Sequence, residues 1–117
     1  MNKLVIIGRL GRDPESRDVA GTTVCNFTMA VDGGRKDDLP TWFRVAAWGK
    51  LGEVCRRYLS KGRQVCVIGP VSVREYDGRN GEKRFSLEVT AREVEFLAGG
   101  KDDGAKGSPA QDHDIPF

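Results

Sequence analysis

TWFRVAAWG, residues 41–49, contains both tryptophans of a 117-residue chain. Trp42 and Trp48 stand six positions apart, an even spacing. Side chains of a strand alternate between its two faces, so Trp42, Arg44, Ala46 and Trp48 share one face while Phe43, Val45 and Ala47 share the other. The second set is apolar throughout and fit to line a core. The first presents two large rings with a guanidinium between them, and burying Arg44 with the rings would carry a heavy desolvation cost. The spacing therefore predicts a strand with one face in the core and an aromatic, cationic face left open.

The segments around this strand read as more strands. NKLVIIGRL (residues 2–10) is apolar and β-branched, GRDPE (11–15) has turn chemistry, and TVCNFTMAV (23–31) alternates with Cys25, Phe27, Met29 and Val31 on one side. DGGRKDDLP (32–40) is a loop by its Gly, Asp and Pro content. After Gly49 the period changes: Leu51, Val54, Cys55, Tyr58 and Leu59 fall on one face of an amphipathic helix that Gly62 is placed to end. A fourth strand, RQVCVIGPVSVREY (63–76), leads through the Asp-Gly and Asn-Gly pairs of DGRNGEK into a fifth, RFSLEVTAREVEFL (84–97). Within the fifth, the inward set Phe85, Leu87, Val89 and Ala91 changes phase to Val94 and Phe96, which predicts a β-bulge around Arg92 and Glu93.

Five strands with a lone helix between the third and fourth define an all-β class and match the OB-fold, a small Greek-key barrel. The strands are not separated by helices, so an α/β enzyme core of the βαβ kind does not fit. Residues 1–98 form the domain, 99–111 a flexible Gly-rich linker and 112–117 a terminal tip. Residues 1–98 carry 17 Lys and Arg against 13 Asp and Glu, whereas 99–117 carry 2 against 4. A mildly basic body with an acidic tail points toward a polyanionic partner. Cys25, Cys55 and Cys66 are odd in number and lack a C-x-x-C pair, so buried thiols are expected, with no disulfide framework, metal site or cofactor. The lone histidine, His113, has no serine or carboxylate patterned around it as a triad, and catalysis is not expected. No long apolar run is present, and a cytoplasmic, nucleoid-associated protein is expected.

Aromatic platforms with cations beside them suit single-stranded nucleic acid, whose unstacked bases need π-faces and whose phosphates need charge. The segments NKLVIIGRLGRDPE (2–15), NFTMAV (26–31), TWFRVAAWGKLGEVCRRYLSKG (41–62) and the ending DIPF resemble the bacterial single-stranded DNA-binding proteins. That resemblance implies base stacking on Trp42, Trp48 and Tyr76. It has no counterpart for a further Trp that some relatives carry on the loop at residues 32–40, where Arg35 and Lys36 remain to meet phosphates. Strand position adds Arg44, Lys50, Arg74 and Arg84 to the DNA-facing surface, whereas Arg56 and Arg57 read as solubilising charge. Cys66 and Ile68 point away from the barrel and are expected at a subunit interface, and the resemblance implies a homotetramer. DHDIPF is read as a peptide ligand for replication and repair enzymes: Phe117 fills a pocket, Ile115 and Pro116 add apolar contact, and Asp112 and Asp114 meet a basic rim. The alternatives are an OB-fold accessory or RNA-binding module, in which the same rings stack bases, and, far behind, a small metal-free hydrolase.

Overall fold

The computed structural model describes residues 1–97. Its elements are β1 (Leu4–Leu10), β2 (Glu15–Val19), β3 (Thr22–Val31), β4 (Thr41–Trp48), α1 (Gly49–Tyr58), β5 (Gln64–Gly69), β6 (Val71–Asp77), β7 (Lys83–Thr90) and β8 (Glu93–Phe96). The strands pair in the order β6-β7-β4-β3-β1-β5-β8, with β2 added to β3. All pairs are antiparallel except β4 with β7, which run parallel from Phe43↔Leu87 to Ala46↔Thr90.

This order closes on itself because two long strands are each split between two neighbours. The predicted fourth strand divides at Pro70 into β5, paired with β1 and β8, and β6, paired with β7. Proline has no N–H to give the ladder, and the chain turns there. The amide side chain of Asn2 bridges the gap: Nδ2 donates to the Val71 carbonyl at 2.8 Å, and Oδ1 accepts from the Val71 N–H at 3.0 Å. Asn2 thus pairs through its side chain and lies before the first strand.

The predicted fifth strand divides at Ala91 and Arg92, one residue earlier than the expected bulge. The Thr90 N–H donates to Pro70, the Ala91 N–H swings to Ala46, and the Arg92 N–H returns to Ile68. The phase of the side chains slips there as expected, and β7 joins β4 while β8 joins β5. The result is a five-stranded OB barrel whose fourth and fifth strands are kinked.

The core holds Phe27, Met29, Phe43, Val45, Ala47, Val65, Val67 and Val89, with Cys55 of α1 and its C-cap residue Leu59 packed against them. The helix lies tight on the strands: a side chain at Gly52 would run into the Ala47 carbonyl. Gly49, at φ +67°, lets the chain swing from β4 straight into α1 without displacing Trp48 from the strand end.

Four sequence expectations are corrected. Val54 and Tyr58 are not on the buried face of the helix; both are exposed, and Tyr58 packs edge-on against Phe96 with centroids 6.0 Å apart. Gly62 does not cap the helix, which ends at Leu59 with its N–H bonded to the Cys55 carbonyl; Gly62 turns the chain three residues later. Phe85, expected to point inward, is 64% exposed, and Val73 on the same face is 60% exposed, because the β6–β7 hairpin runs on beyond Val71 and Leu87, the last of its residues in this direction to pack against the core. Finally, β2 has no counterpart among the strands expected from the sequence. Its residues ESRDV are all exposed and carry no apolar alternation, and its turn into β3 uses Ala20 and Gly21, both at positive φ, a backbone that suits a two-residue hairpin.

Cys25 and Cys55 are fully buried and Cys66 nearly so. Burial pushes the Cys55 thiol up to about 12, with Cys25 nearby adding to the effect. Burial also raises Cys25, against the opposing charge of Arg56, and raises Cys66, with help from Glu95 and Glu93. Thiolate is the reactive form, so it is scarce at neutral pH. In the folded protein at pH 8 a disulfide reagent is expected to react slowly with all three thiols, faster as pH rises, and at once in denaturant. Three equivalents of colour released on mixing with native protein would contradict this burial.

Candidate nucleic-acid interface

The register of β4 against its neighbours sets the face. Inward, Cys25↔Ala47, Phe27↔Val45 and Met29↔Phe43 pair between β3 and β4 and pack the core. Outward, Val24↔Trp48, Asn26↔Ala46, Thr28↔Arg44 and Ala30↔Trp42 alternate with them. A shift of one residue would bury the indoles and Arg44 and expel the apolar set, so the core fixes the orientation of the outer face. Trp42 and Trp48 are 52% and 46% exposed and Arg44 is exposed, as the sequence predicts.

Room for the Trp42 ring comes from Gly11. A β-carbon at that position would sit 2.6 and 2.8 Å from Cζ3 and Cη2 of the indole. The ring therefore lies over the end of β1, held at its base and open above. Trp48 stands at the opposite end of the strand, where it precedes the helix as its N-cap residue.

The parallel pairing carries the same face across to the hairpin. Arg44 lies beside Glu88, Glu88 across from Ser72, Ser86 across from Arg74, and Arg84 across from Tyr76. Tyr76 is exposed, and the Arg74 guanidinium lies 5.6 Å from its ring centroid. Arg84 folds back over Gly78, whose missing side chain leaves space for it. The structure thus brings Trp42, Arg44, Trp48, Arg74, Tyr76 and Arg84 onto one continuous face. Lys50 is exposed in the first turn of α1, beyond Trp48. Arg35 and Lys36 are exposed on the 32–40 loop, where the Asp38 carboxylate accepts from the Arg35 N–H at 3.2 Å.

A groove of about 350 Å³ runs along the middle of this face, with Arg12, Asp13, Glu15, Arg44, Ser72 and Glu88 in its lining. Arg12 and the carboxylates were not picked out from the sequence. Arg12, Asp13 and Glu15 reach the groove through β2 and the turn before it, which have no apolar pattern to read, whereas Glu88 comes from the outward face of β7. The Arg74 Nε donates to Glu88 Oε2 at 2.8 Å. That bond chiefly holds the Glu88 carboxyl below the usual carboxylate range, against partial burial; the Ser86 hydroxyl and Arg44 add to the lowering. Among the described residues no group of three His, Cys, Asp or Glu side chains could hold a metal ion. Nor is any helix there long and apolar enough to cross a membrane.

A second exposed feature lies on the opposite side of the barrel. Val5 pairs with Ile68 and Ile7 with Cys66, all facing outward, and Glu93 and Glu95 of β8 flank them. Val5 and Ile7 are half-exposed, Ile68 is partly covered and Cys66 is almost fully buried. The tip residues Asp112, Asp114, Ile115, Pro116 and Phe117 and the 99–111 linker lie outside the described residues.

Residues 1–97 match the Single-strand binding protein family. The chain is 41% identical to single-stranded DNA-binding protein 1 of Chlorobaculum tepidum, over 94% of this chain and 72% of that one. It is 46% identical to the single-stranded DNA-binding protein of Thermotoga maritima, over 82% and 73% of the two chains. With single-stranded DNA-binding protein 2 of Clostridium acetobutylicum it shares 38% identity across the full length of both. The chain belongs to the single-strand binding protein family.

Proposed function

We propose that this protein binds single-stranded DNA without sequence preference, stacking bases on Trp42, Trp48 and Tyr76 and meeting phosphates with Arg44, Arg74, Arg84, Lys50, Arg35 and Lys36. The observation that carries the reading is the pair of half-exposed indoles on the outer face of a strand whose inner face is core. Rings open on one side accept any base, because every base has a π-face. The cations are spread along the face and the names of the similar proteins agree with the assignment. The protein acts by coating exposed strands in replication, recombination and repair, and catalyses nothing.

Each of Trp42→Ala and Trp48→Ala is expected to weaken oligo(dT) binding by about 1–3 kcal/mol, and wild-type indole fluorescence to fall on saturation. Titration of the two variants and their double mutant measures this. Unchanged affinity in a folded double mutant would refute the reading.

The strip of Val5, Ile7, Cys66 and Ile68 is proposed as a subunit interface of a homotetramer. Contiguous exposed apolar surface on a small domain is best covered by association. Val5 and Ile7 would supply most of the contact, since Cys66 has little surface left. Sedimentation of Ile68→Asp is expected to show smaller species than wild type; a wild type already monomeric at micromolar concentration would contradict the interface.

The DHDIPF segment is proposed to recruit replication and repair enzymes, with Phe117 in an apolar pocket, Asp112 and Asp114 at its basic rim and Ile115 and Pro116 beside it. Removal of Phe117 alone is expected to leave oligo(dT) binding intact while a repair helicase or exonuclease of the same cell is no longer captured. Retention of that enzyme by the truncated protein would refute the role.

A further inference from the structure

The proposed DNA face contains an acidic residue that its function does not require. Glu88 sits in the groove, with its side chain about one-third exposed, between the two arginines nearest the middle of the face. It accepts from Arg74 Nε at 2.8 Å and lies beside Arg44 in the β4–β7 register. The Ser86 hydroxyl lies 3.4 Å from the same oxygen. The Arg74 bond is made through Nε, and the guanidinium is set against the Tyr76 ring.

A carboxylate here is a poor choice for stability alone. An ion pair this exposed contributes little to folding. It does, however, cancel one positive charge at the place where the proposed function needs positive charge. We propose that Glu88 is a built-in counterion of the interface, pairing with Arg74 until a phosphate displaces it, and so limiting both the affinity for single strands and its dependence on salt. This rests on the assignment of the face to single-stranded DNA.

The physical basis is counterion release. When a free protein cation neutralises a phosphate of single-stranded nucleic acid, condensed salt ions are released, and log K falls with log salt by about 0.7 per phosphate. A cation already neutralised by a carboxylate brings no net charge to the strand. When the phosphate takes Arg74, the freed Glu88 attracts a cation from solution, which offsets the release. Arg74 therefore contributes to positioning, beside the Tyr76 platform, but little to the salt slope.

Glu88→Gln keeps the shape and removes the charge. In titrations of tryptophan fluorescence with oligo(dT) across a salt series, it is expected to bind more tightly than wild type at low salt. Its slope should steepen by about 0.7, which is roughly a 2.6-fold larger loss of affinity between 50 and 200 mM salt. The control is Glu75→Gln, which makes the same charge change on the opposite face of the hairpin, where Glu75 pairs with Lys83 at 3.2 Å. It should leave the slope at the wild-type value, and Arg74→Gln combined with Glu88→Gln should restore that value. A Glu88→Gln slope equal to wild type would overturn the proposal, as would an equal effect of Glu75→Gln, which would reduce it to net charge. Absence of any response of the wild type to oligo(dT) would instead overturn the assignment of the face.

Discussion

The structure depends on one constraint: the alternation of β4 in the middle of the barrel. Phe43, Val45 and Ala47 must enter the core between β3 and β7, and a strand has only two faces. Everything opposite follows. Trp42, Arg44 and Trp48 are turned outward by the burial of their neighbours. The parallel partner β7 extends that face to Arg84, and through the hairpin to Arg74 and Tyr76. The strand pairing fixes which side chains share the proposed binding face, and only the ring and guanidinium orientations remain to be set.

Those orientations are set by small local devices. Gly11 makes space beneath the Trp42 ring, Gly49 lets the helix begin directly after Trp48, and Gly78 leaves room for Arg84. Arg74 is held between the Tyr76 ring and Glu88. The face is consequently a mixture of cations and carboxylates, with Asp13, Glu15 and Glu88 in the same groove as Arg12 and Arg44. The balance is consistent with a reversible grip on polyanions, in which stacking supplies affinity and electrostatics are kept moderate.

Much of the fold was legible in the sequence wherever an apolar pattern had to be satisfied. The alternation of residues 41–48, the change to a helical period after Gly49 and the phase slip near Arg92 each reflect a core face, and each appears in the structure. What could not be read has the complementary cause. β2 buries nothing, so ESRDV carries no period, and with it Arg12 and Glu15 of the groove went unnoticed. Val73 and Phe85 look like core residues but lie on a hairpin that outruns the barrel, and strand length beyond the last covered pair is set by tertiary structure. For the candidate site, side-chain direction was readable and pairing was not. The sequence puts Arg74 on the face, but only the register reveals that Glu88 lies within its reach.

Whether Trp42 and Trp48 take stacked bases is tested most directly by their two indole N–H resonances, the only such pair the chain can give. In a nitrogen-15 spectrum of the labelled protein titrated with oligo(dT), both resonances are expected to move by ring-current effects and to saturate together. Backbone signals of Val5 and Ile7, on the opposite side of the barrel, should not follow the same titration. Saturating oligo(dT) binding that leaves both indole resonances in place would contradict the assignment of this face.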